Sequence, residues 1–199
     1  MKRIYSIVAA LLLFSSPSLN AQSEAGSIFL LISPGARAGG MGEAQVAVAN
    51  DAYASYWNPA GLAFQEGSEL AIMHVNWLPN LADDLYYEFL GFRKQFPTLG
   101  TLGGHLIYLN LGEQVRMDEY AQYQGKFTSY MMAAAVSYST KLSSSSSFGI
   151  NAKLSYQHLV ELGTGSEKGK GTSTDFGFDL GYMKKGWLTP RMDLGITMT

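Results

Sequence analysis

Two sets of residues in this sequence have types that can do chemistry, but neither has the partners which that chemistry needs. The Gly-rich run 163–171 is similar to a phosphate-binding loop. It lacks Gly at the required first position, and Gly171 stands where Ser or Thr must bind the metal. His74, His105 and His158 are far from one another in sequence, whereas a metal site needs three or four convergent ligands. We therefore predict a solvated loop at 163–171 and no metal site.

The remaining reactive residue types also favour a non-catalytic interpretation. Asp83-Asp84 and Asp118-Glu119 fall in predicted loops, where we expect a solvated or lipopolysaccharide-facing surface. The serine run 143–147 is a turn without a surrounding nucleophile motif. We therefore predict that the chain is not an enzyme and holds no cofactor.

The composition is apolar, yet the apolar residues are not gathered into long segments. The 199 residues are 47% hydrophobic and only 15% charged, against roughly 25% charged in soluble domains. No run of about 18 apolar residues is present, so no helix of the sequence spans a bilayer. Membrane β-barrels spread their apolar residues over alternate strand positions, which fits this composition. Cys is absent, so the stability of the fold comes from something other than disulfides. No basic patch with interleaved aromatics occurs, so we expect no nucleic-acid partner.

Residues 1–21 have the layout of a secretory signal peptide. Lys2 and Arg3 precede an apolar stretch at 4–14, which is too short to cross a membrane. A polar region with Pro17 then leads to Ala21 at the predicted cleavage point. The alternative is an N-terminal anchor helix. We predict an exported protein whose mature chain begins at Gln22.

From residue 69 onward, apolar residues recur at every second position. In 148–157 and 174–183, large apolar residues alternate with Gly or polar residues. Side chains of a strand point alternately to its two faces, so one face is apolar and the other is polar or tiny. Several strands reach the roughly 9–11 residues that cross a bilayer. We predict seven strands, at 68–77, 85–96, 101–110, 127–142, 147–161, 172–184 and 190–199.

The predicted connections alternate between long and short, as they do in bacterial outer-membrane barrels. Trp77 and Trp187 fall near strand ends, where interfacial aromatics belong. A soluble β-sandwich is the alternative architecture, with its apolar face turned inward. Predicted external loops are 78–84, 111–126 and 162–171, and predicted periplasmic turns are 97–100, 143–146 and 185–189.

The segment before the strands has a different character. Residues 33–42 are Gly-rich, with spacing that suits close packing or turning rather than dinucleotide binding. Residues 43–54 are Ala-rich and predict a short helix, which the Pro-containing box at 57–61 ends. Small side chains allow close packing inside something narrow, and the alternative is an ordinary N-terminal helix that covers a sheet.

Three motifs carry a resemblance to a known family: PGARAGGMG at 34–42, ANDA at 49–52 and YWNPAGLA at 56–63. Together they closely resemble the PorV/PorQ-like family, which belongs to the wider FadL-like group of outer-membrane barrels. The Asn-Pro-Ala-Gly box is the most specific of them. Later segments look like the family's strands: GKF at 125–127, SY at 137–138, FGINAKL at 148–154 and DFGFDLGY at 175–182.

The resemblance implies an all-β fold, a 14-stranded transmembrane antiparallel β-barrel with an N-terminal hatch in its lumen. The implied organisation is a signal peptide at 1–21, a hatch at 22–66 and about seven barrel strands at 67–199. Seven strands are half of fourteen, and the sequence stops inside a predicted strand, so we expect a fragment. An eighth strand from 111–123 is the alternative, giving a closed barrel too narrow for a hatch.

The resemblance also implies a role in type IX secretion at the cell outer membrane, in contact with outer-membrane lipids and lipopolysaccharide. Family members receive secreted proteins by their C-terminal signal domains and pass them to surface attachment machinery. A FadL-like channel for hydrophobic compounds is the second hypothesis, and a lipid-modifying enzyme is the third. Candidate hatch or gating residues are Arg37, Gly39, Gly40, Gly42, Asp51, Asn58, Pro59 and Ala60. Candidate lumen-facing residues are Lys153, Asp175 and Asp179, for which plain solvation of the lumen is the alternative.

Overall fold

The protein forms one antiparallel sheet in which every strand pairs with its neighbour in sequence. The structure, a computed structural model, describes residues 24–118, 120–160 and 171–199. The predicted signal peptide and the loop at 162–170 lie outside these residues. All seven predicted strands are present, which confirms the all-β class. They are β1 (Ser68–Asn76), β2 (Leu85–Phe96), β3 (Gly100–Met117), β4 (Tyr123–Lys141), β5 (Ser146–Val160), β6 (Gly171–Lys184) and β7 (Leu194–Met198).

The predicted external loop at 111–126 is wrong, because β3 and β4 continue as a paired hairpin as far as Met117 and Tyr123. The apolar alternation stops near Asn110, where the register shifts before Glu113. Beyond that point the hairpin has polar residues on both faces, so it lacked the period-two signal of a half-buried strand. This hairpin also excludes 111–123 as a separate eighth strand.

The predicted strand start at 190 is also wrong, because β7 begins at Leu194. Residues 185–193 form a compact connection in which Gly186 N donates to Asp193 Oδ1 at 2.9 Å. Trp187 N donates to the carbonyl of Met192 at 2.7 Å. The alternation of long and short connections therefore fails here. We call the end of the sheet with connections 97–99, 142–145 and 185–193 the turn end, and the opposite end the loop end.

The two faces of the sheet differ as the alternation predicts. Even-numbered residues carry the apolar outer face, where Val136 is 68% exposed and Phe178 is 65% exposed. Odd-numbered residues carry the inner face, where Ser137, Asn151 and Asp179 are buried. The pairing places these three side by side on β4, β5 and β6. On β4, β5 and β6 the large apolar side chains thus point mainly away from the interior, the reverse of a soluble sandwich. On β2 and β3 the inner face is apolar as well, because Tyr87, Phe89, Ile107 and Leu109 are buried there.

Residues 24–66, which we call the hatch, pack against the inner face of the sheet. They comprise a 3-10 helix at Glu24–Leu31, helix α1 (Ala36–Gly40), helix α2 (Ala54–Trp57) and a 3-10 helix at Pro59–Phe64. In the described part of the chain, no helix is both long and apolar enough to cross a membrane.

The predicted helix at 43–54 is wrong, because residues 43–53 form turns and irregular chain. Gly42 and Glu43 have φ angles of 62° and 66°, which a right-handed helix does not accept. The carbonyls of Val46 and Val48 instead accept side-chain hydrogen bonds from Asn58 and Arg37. A short helix that was not predicted, α2, begins at Ala54 and ends before Asn58.

Candidate functional site: the contact between hatch and sheet

Asn58 joins the hatch to the sheet and is fully buried. Its Nδ2 donates to the carbonyls of Val46 in the hatch at 2.9 Å and Tyr182 in β6 at 3.2 Å. Its Oδ1 accepts from the amide of Ala60 at 3.1 Å and caps the 3-10 helix, with Pro59 at the first helical position. One amide side chain thus fixes a turn and docks it on the sheet, which we also call the wall. This double role explains why Asn precedes Pro here.

The residue that follows the Asn-Pro pair is bonded to the wall through its backbone. The carbonyl of Ala60 accepts from the Ser147 hydroxyl at 2.7 Å and from the Ser139 hydroxyl at 3.3 Å. Both serines are completely buried on the inner face. A buried carbonyl needs such donors, so the small polar residues of β4 and β5 satisfy the hatch backbone.

Glycines on the inner face let the hatch backbone approach the wall closely. A Cβ at Gly149 would overlap the backbone of Pro59 and Ala60, and a Cβ at Gly181 would overlap Asn58 Oδ1. Gly149 and Gly181 are direct register partners on β5 and β6. The two glycines therefore form a pad on which the Asn-Pro-Ala box lies.

A buried polar chain runs through the middle of the inner face. Asn151 Nδ2 donates to the carbonyl of Ser55 at 2.7 Å and to Asp179 Oδ2 at 2.9 Å. Lys153 Nζ lies 2.7 Å from Asp179 Oδ1. The Ser55 hydroxyl and His105 Nδ1 are 3.1 Å apart. Two candidate lumen residues, Lys153 and Asp179, are thus brought together and connected to the hatch through Asn151.

Asp175 does not join this chain. It is exposed and lies two positions from Gly177 towards the loop end of β6. Its Oδ2 accepts from Ser173 at 3.1 Å and from Ser27 in the hatch at 3.4 Å. Asp175 therefore contacts a different part of the hatch from Asp179.

Arg37 closes a loop within the hatch rather than contacting the sheet. Its Nη2 donates to the Val48 carbonyl at 2.9 Å and to Asn50 Oδ1 at 2.7 Å. Its Nη1 lies 3.5 Å from Asp51 Oδ2. Burial raises the pKa of Asp51 above its usual value, and the Arg37 charge offsets part of that rise. The Arg37 charge thus stabilises the ionised form of the Asp51 carboxyl group, which burial disfavours.

The predicted glycines of the hatch separate into two kinds. Gly42 has a φ of 62° and makes the turn after α1. Gly39 and Gly40 have no neighbouring atom within 4 Å of a Cβ position, so neither is packed closely. We predicted close packing or turning for these glycines, and Gly42 turns the chain, whereas close approach to the hatch backbone occurs at Gly149 and Gly181 in the sheet.

Aromatic side chains hold the first part of the hatch together and against β2. The Tyr56 hydroxyl donates to the Leu30 carbonyl at 2.6 Å, and the Tyr87 hydroxyl donates to the Ile32 carbonyl at 3.2 Å. Burial raises the pKa of Tyr56 to about 12, so its phenol stays a donor at neutral pH. Tyr53 stacks on Phe89 with ring centroids 4.9 Å apart.

A cavity of about 350 Å³ lies between the hatch and β3, β5, β6 and β7. Leu30, Leu31 and Trp57 form an apolar side, and Lys153 and Asp179 form a charged side. Within residues 24–118, 120–160 and 171–199, no group of three or more His, Asp or Glu side chains is placed to hold a metal ion.

Several residues of this contact were not singled out by sequence reasoning. Ser55, Asn151, Gly149 and Gly181 carry it together with the Asn58 box. The available signal was the alternation along the strand. Asn151, Gly149 and Gly181 occupy odd positions on strands whose even positions are mostly large and apolar. This alternation assigns a residue to a face of the sheet, but it does not predict which atom of the hatch lies opposite.

The geometry defines the class of protein. A sheet with an exposed apolar face, whose other face is filled by the N-terminal segment of the same chain, is consistent with part of a β-barrel wall and its hatch. A scan against known protein families matches residues 19–186 to the family described as Type IX secretion system protein PorV. The chain therefore belongs to the PorV family, as its motifs at 34–42 and 56–63 predict. No curated protein matches it.

Proposed function

We propose that this chain is an outer-membrane barrel protein that serves as a docking component in type IX secretion. It receives secreted proteins by their C-terminal signal domains and passes them to surface attachment machinery. The observation that carries this proposal is the outward apolar face of a sheet in a chain of the PorV family. The predicted signal peptide at 1–21 supplies the route of export.

The outer face supports insertion in a membrane because its apolar residues form continuous rows. Leu90, Leu106, Ala134, Leu154 and Phe176 are register partners from β2 to β6. All five are exposed. A water-facing row of this kind would be an aggregation hazard, whereas acyl chains solvate it without cost.

Aromatic residues border these rows towards the loop end. Tyr86, Tyr108, Tyr130 and Tyr156 form a band on the outer face, with successive ring centroids 6.0, 5.8 and 6.1 Å apart. Tyrosine rings have an apolar body and a polar tip, so they favour the level of lipid headgroups. The band supports a membrane boundary at this height of the sheet.

The hatch supports a docking role over free passage of small molecules. Ser55, Asn58 and Ala60 are bonded to β4, β5 and β6, so residues 55–60 of the hatch are fixed to the sheet. We propose that these bonds, with the Lys153–Asp179 pair, determine when the hatch moves. The loops then present a surface to a client while the hatch keeps the lumen closed.

Deletion of the gene and complementation test the proposal. The deletion strain should retain proteins with type IX C-terminal signal domains inside the cell and should grow normally on hydrophobic substrates. Co-purification of a client with the complementing protein should follow. Normal secretion combined with loss of hydrophobic uptake would contradict the docking role and favour a diffusion channel.

A matched pair of variants connects the phenotype to the hatch. Gly181→Ala places a methyl group against Asn58, whereas Gly177→Ala on the same strand and face meets only Lys153 Cε at 3.9 Å. Secretion should fall with Gly181→Ala and stay near wild type with Gly177→Ala. Equal secretion by the two variants would disconnect the hatch contact from the docking role.

A further inference from the structure

The two ends of the sheet carry opposite charge. Within the described residues, the strand ends and connections of the turn end have six cations against three carboxylates, and those of the loop end have two cations against six carboxylates. The cations of the turn end are Arg93, Lys94, Lys141, Lys184, Lys185 and Arg191, and its carboxylates are Glu66, Glu69 and Asp193. The cations of the loop end are Arg116 and Lys126, and its carboxylates are Asp83, Asp84, Glu88, Glu113, Asp118 and Asp175.

Most turn-end cations have no carboxylate partner. Only Arg93 is paired, with Glu69 at 2.9 Å, among the ion pairs of the described residues. Lys94 Nζ lies 5.3 Å from the Phe96 ring, and Lys184 Nζ donates to Ser145 Oγ at 3.2 Å. Unpaired ammonium groups gathered at one level leave a surface that attracts anions.

Two of these cations serve the hatch as well. Lys185 Nζ lies 4.3 Å from the Phe64 ring and Lys141 Nζ lies 5.9 Å from it. Lys94 and Lys184 instead occupy even, outward positions, and Arg191 is exposed in the last connection. These three are therefore free to meet a ligand outside the barrel wall.

Each connection at the turn end also exposes a large apolar side chain. Leu99, Leu142, Trp187 and Leu188 are 54%, 62%, 48% and 67% exposed. An apolar side chain next to a long cationic one suits the boundary between acyl chains and headgroups. There the apolar part enters the hydrocarbon while the ammonium reaches a phosphate.

We propose that the turn-end rim, defined as Lys94, Lys184 and Arg191 with Leu99, Leu142, Trp187 and Leu188, binds the anionic phosphodiester headgroups of phospholipids in the surrounding leaflet. This inference rests on the proposed membrane insertion. Charge complementarity selects an anionic lipid over a zwitterionic one, and the exposed Leu and Trp side chains select a bilayer over a soluble anion. The acidic loop end has the opposite preference.

The test uses the mature full chain in phosphatidylcholine vesicles, with spin-labelled phosphatidylglycerol or phosphatidylcholine as the probe. The fraction of motionally restricted label gives the preference for the anionic lipid. Wild type should prefer phosphatidylglycerol by about threefold or more. The triple variant Lys94→Gln, Lys184→Gln, Arg191→Gln should bind both probes equally. It leaves Lys141 and Lys185 on Phe64, so the hatch contact is kept.

A matched control removes Arg116 and Lys126, the cations of the loop end, as Gln variants and should keep the wild-type preference. High salt should reduce that preference, because screening shortens the reach of exposed charges. Inorganic phosphate should reduce it no more than chloride of equal ionic strength. A stronger effect of phosphate would indicate a site for a free anion and overturn the proposal.

Three other results distinguish a failure of this inference from a failure of the proposed function. An unchanged preference in the triple variant, with normal insertion into vesicles, would overturn the headgroup site and leave the membrane role intact. Failure of wild type to insert into any vesicle would overturn both. Loss of the preference in the loop-end control, with the preference kept in the triple variant, would place the anionic lipid at the loop end and overturn the headgroup site at the turn end.

Discussion

The Nδ2 atom of Asn58 donates a hydrogen bond to the backbone carbonyl of Tyr182, 3.2 Å away and 124 residues later in the chain. A buried amide side chain therefore connects the hatch to the sixth strand. Gly181, the residue before Tyr182, lacks the Cβ that would overlap the Asn58 side chain. This contact requires both the strand register of the sheet and the turn that residues 58–60 form in the hatch.

Gly181→Ala should destabilise the folded protein by about 1–3 kcal/mol, because a methyl group forces the Asn58 side chain off its site. Gly177→Ala should be neutral or slightly stabilising, since Ala costs less conformational entropy than Gly in a strand. Thermal or denaturant unfolding in detergent measures both. Equal stability of the two variants would contradict the glycine pad.

Asn58→Ala should destabilise the protein by about 3 kcal/mol, because it removes three hydrogen bonds at a fully buried site. Asn80→Ala, in the exposed connection after β1, is the matched control and should stay within about 0.5 kcal/mol of wild type. Limited proteolysis should cut the hatch of Asn58→Ala first. Wild-type protection of that hatch would show that the box does not hold it.

Lys153→Met should cost about 3–5 kcal/mol, because it leaves the Asp179 carboxylate buried without its cation. The double variant Lys153→Met, Asp179→Asn should recover much of that loss, since no charge then remains. A double-mutant cycle from unfolding curves gives the coupling between the two side chains. Additive losses would mean that the ion pair does not act as a unit.

Arg37→Ala should destabilise the hatch by about 1 kcal/mol at about pH 7 and by less at about pH 4. Burial raises the pKa of Asp51, so the folded state binds its proton more tightly than the unfolded state does. Stability from that proton is present at low pH and is lost as pH rises through the folded pKa. Removing Arg37 raises the pKa of folded Asp51 further, so more stability is lost between low and neutral pH.

Unfolding curves at several pH values check this prediction, with Asp51→Asn as the background control. In Asp51→Asn the cost of Arg37→Ala should no longer vary with pH, because the titrating group is gone. A pH-dependent cost that persists in that background would assign the effect to another carboxyl group.

The wall was largely predictable from sequence. In β5, Phe148, Ile150 and Leu154 alternate with Gly149 and Asn151, and this pattern alone sets the strand and its two faces. β2 has the predicted bounds, and β5 and β6 differ from theirs by one residue at the ends. A strand that is buried on one face has a period of two in its apolar residues. Such a strand can therefore be recognised from its own short stretch of sequence.

The hatch was less predictable because its conformation depends on distant atoms. An Ala-rich run at 43–54 has helical propensity, but its carbonyls are used by Arg37 and Asn58. The partners of Gly149 and Ser147 lie nearly ninety residues away, at Pro59 and Ala60. Local propensity is a weak signal where tertiary hydrogen bonds decide the backbone.

Nitroxide labels at single introduced cysteines test the orientation of the sheet most directly, since the chain has no Cys of its own. In vesicles, labels at Val136 and Leu154 should collide with oxygen dissolved in lipid and be shielded from a water-soluble nickel complex. Labels at the neighbouring Ser137 and Ser155 should not show this lipid pattern. Labels at Val136 and Leu154 that meet the nickel complex freely would contradict an outer face turned towards acyl chains.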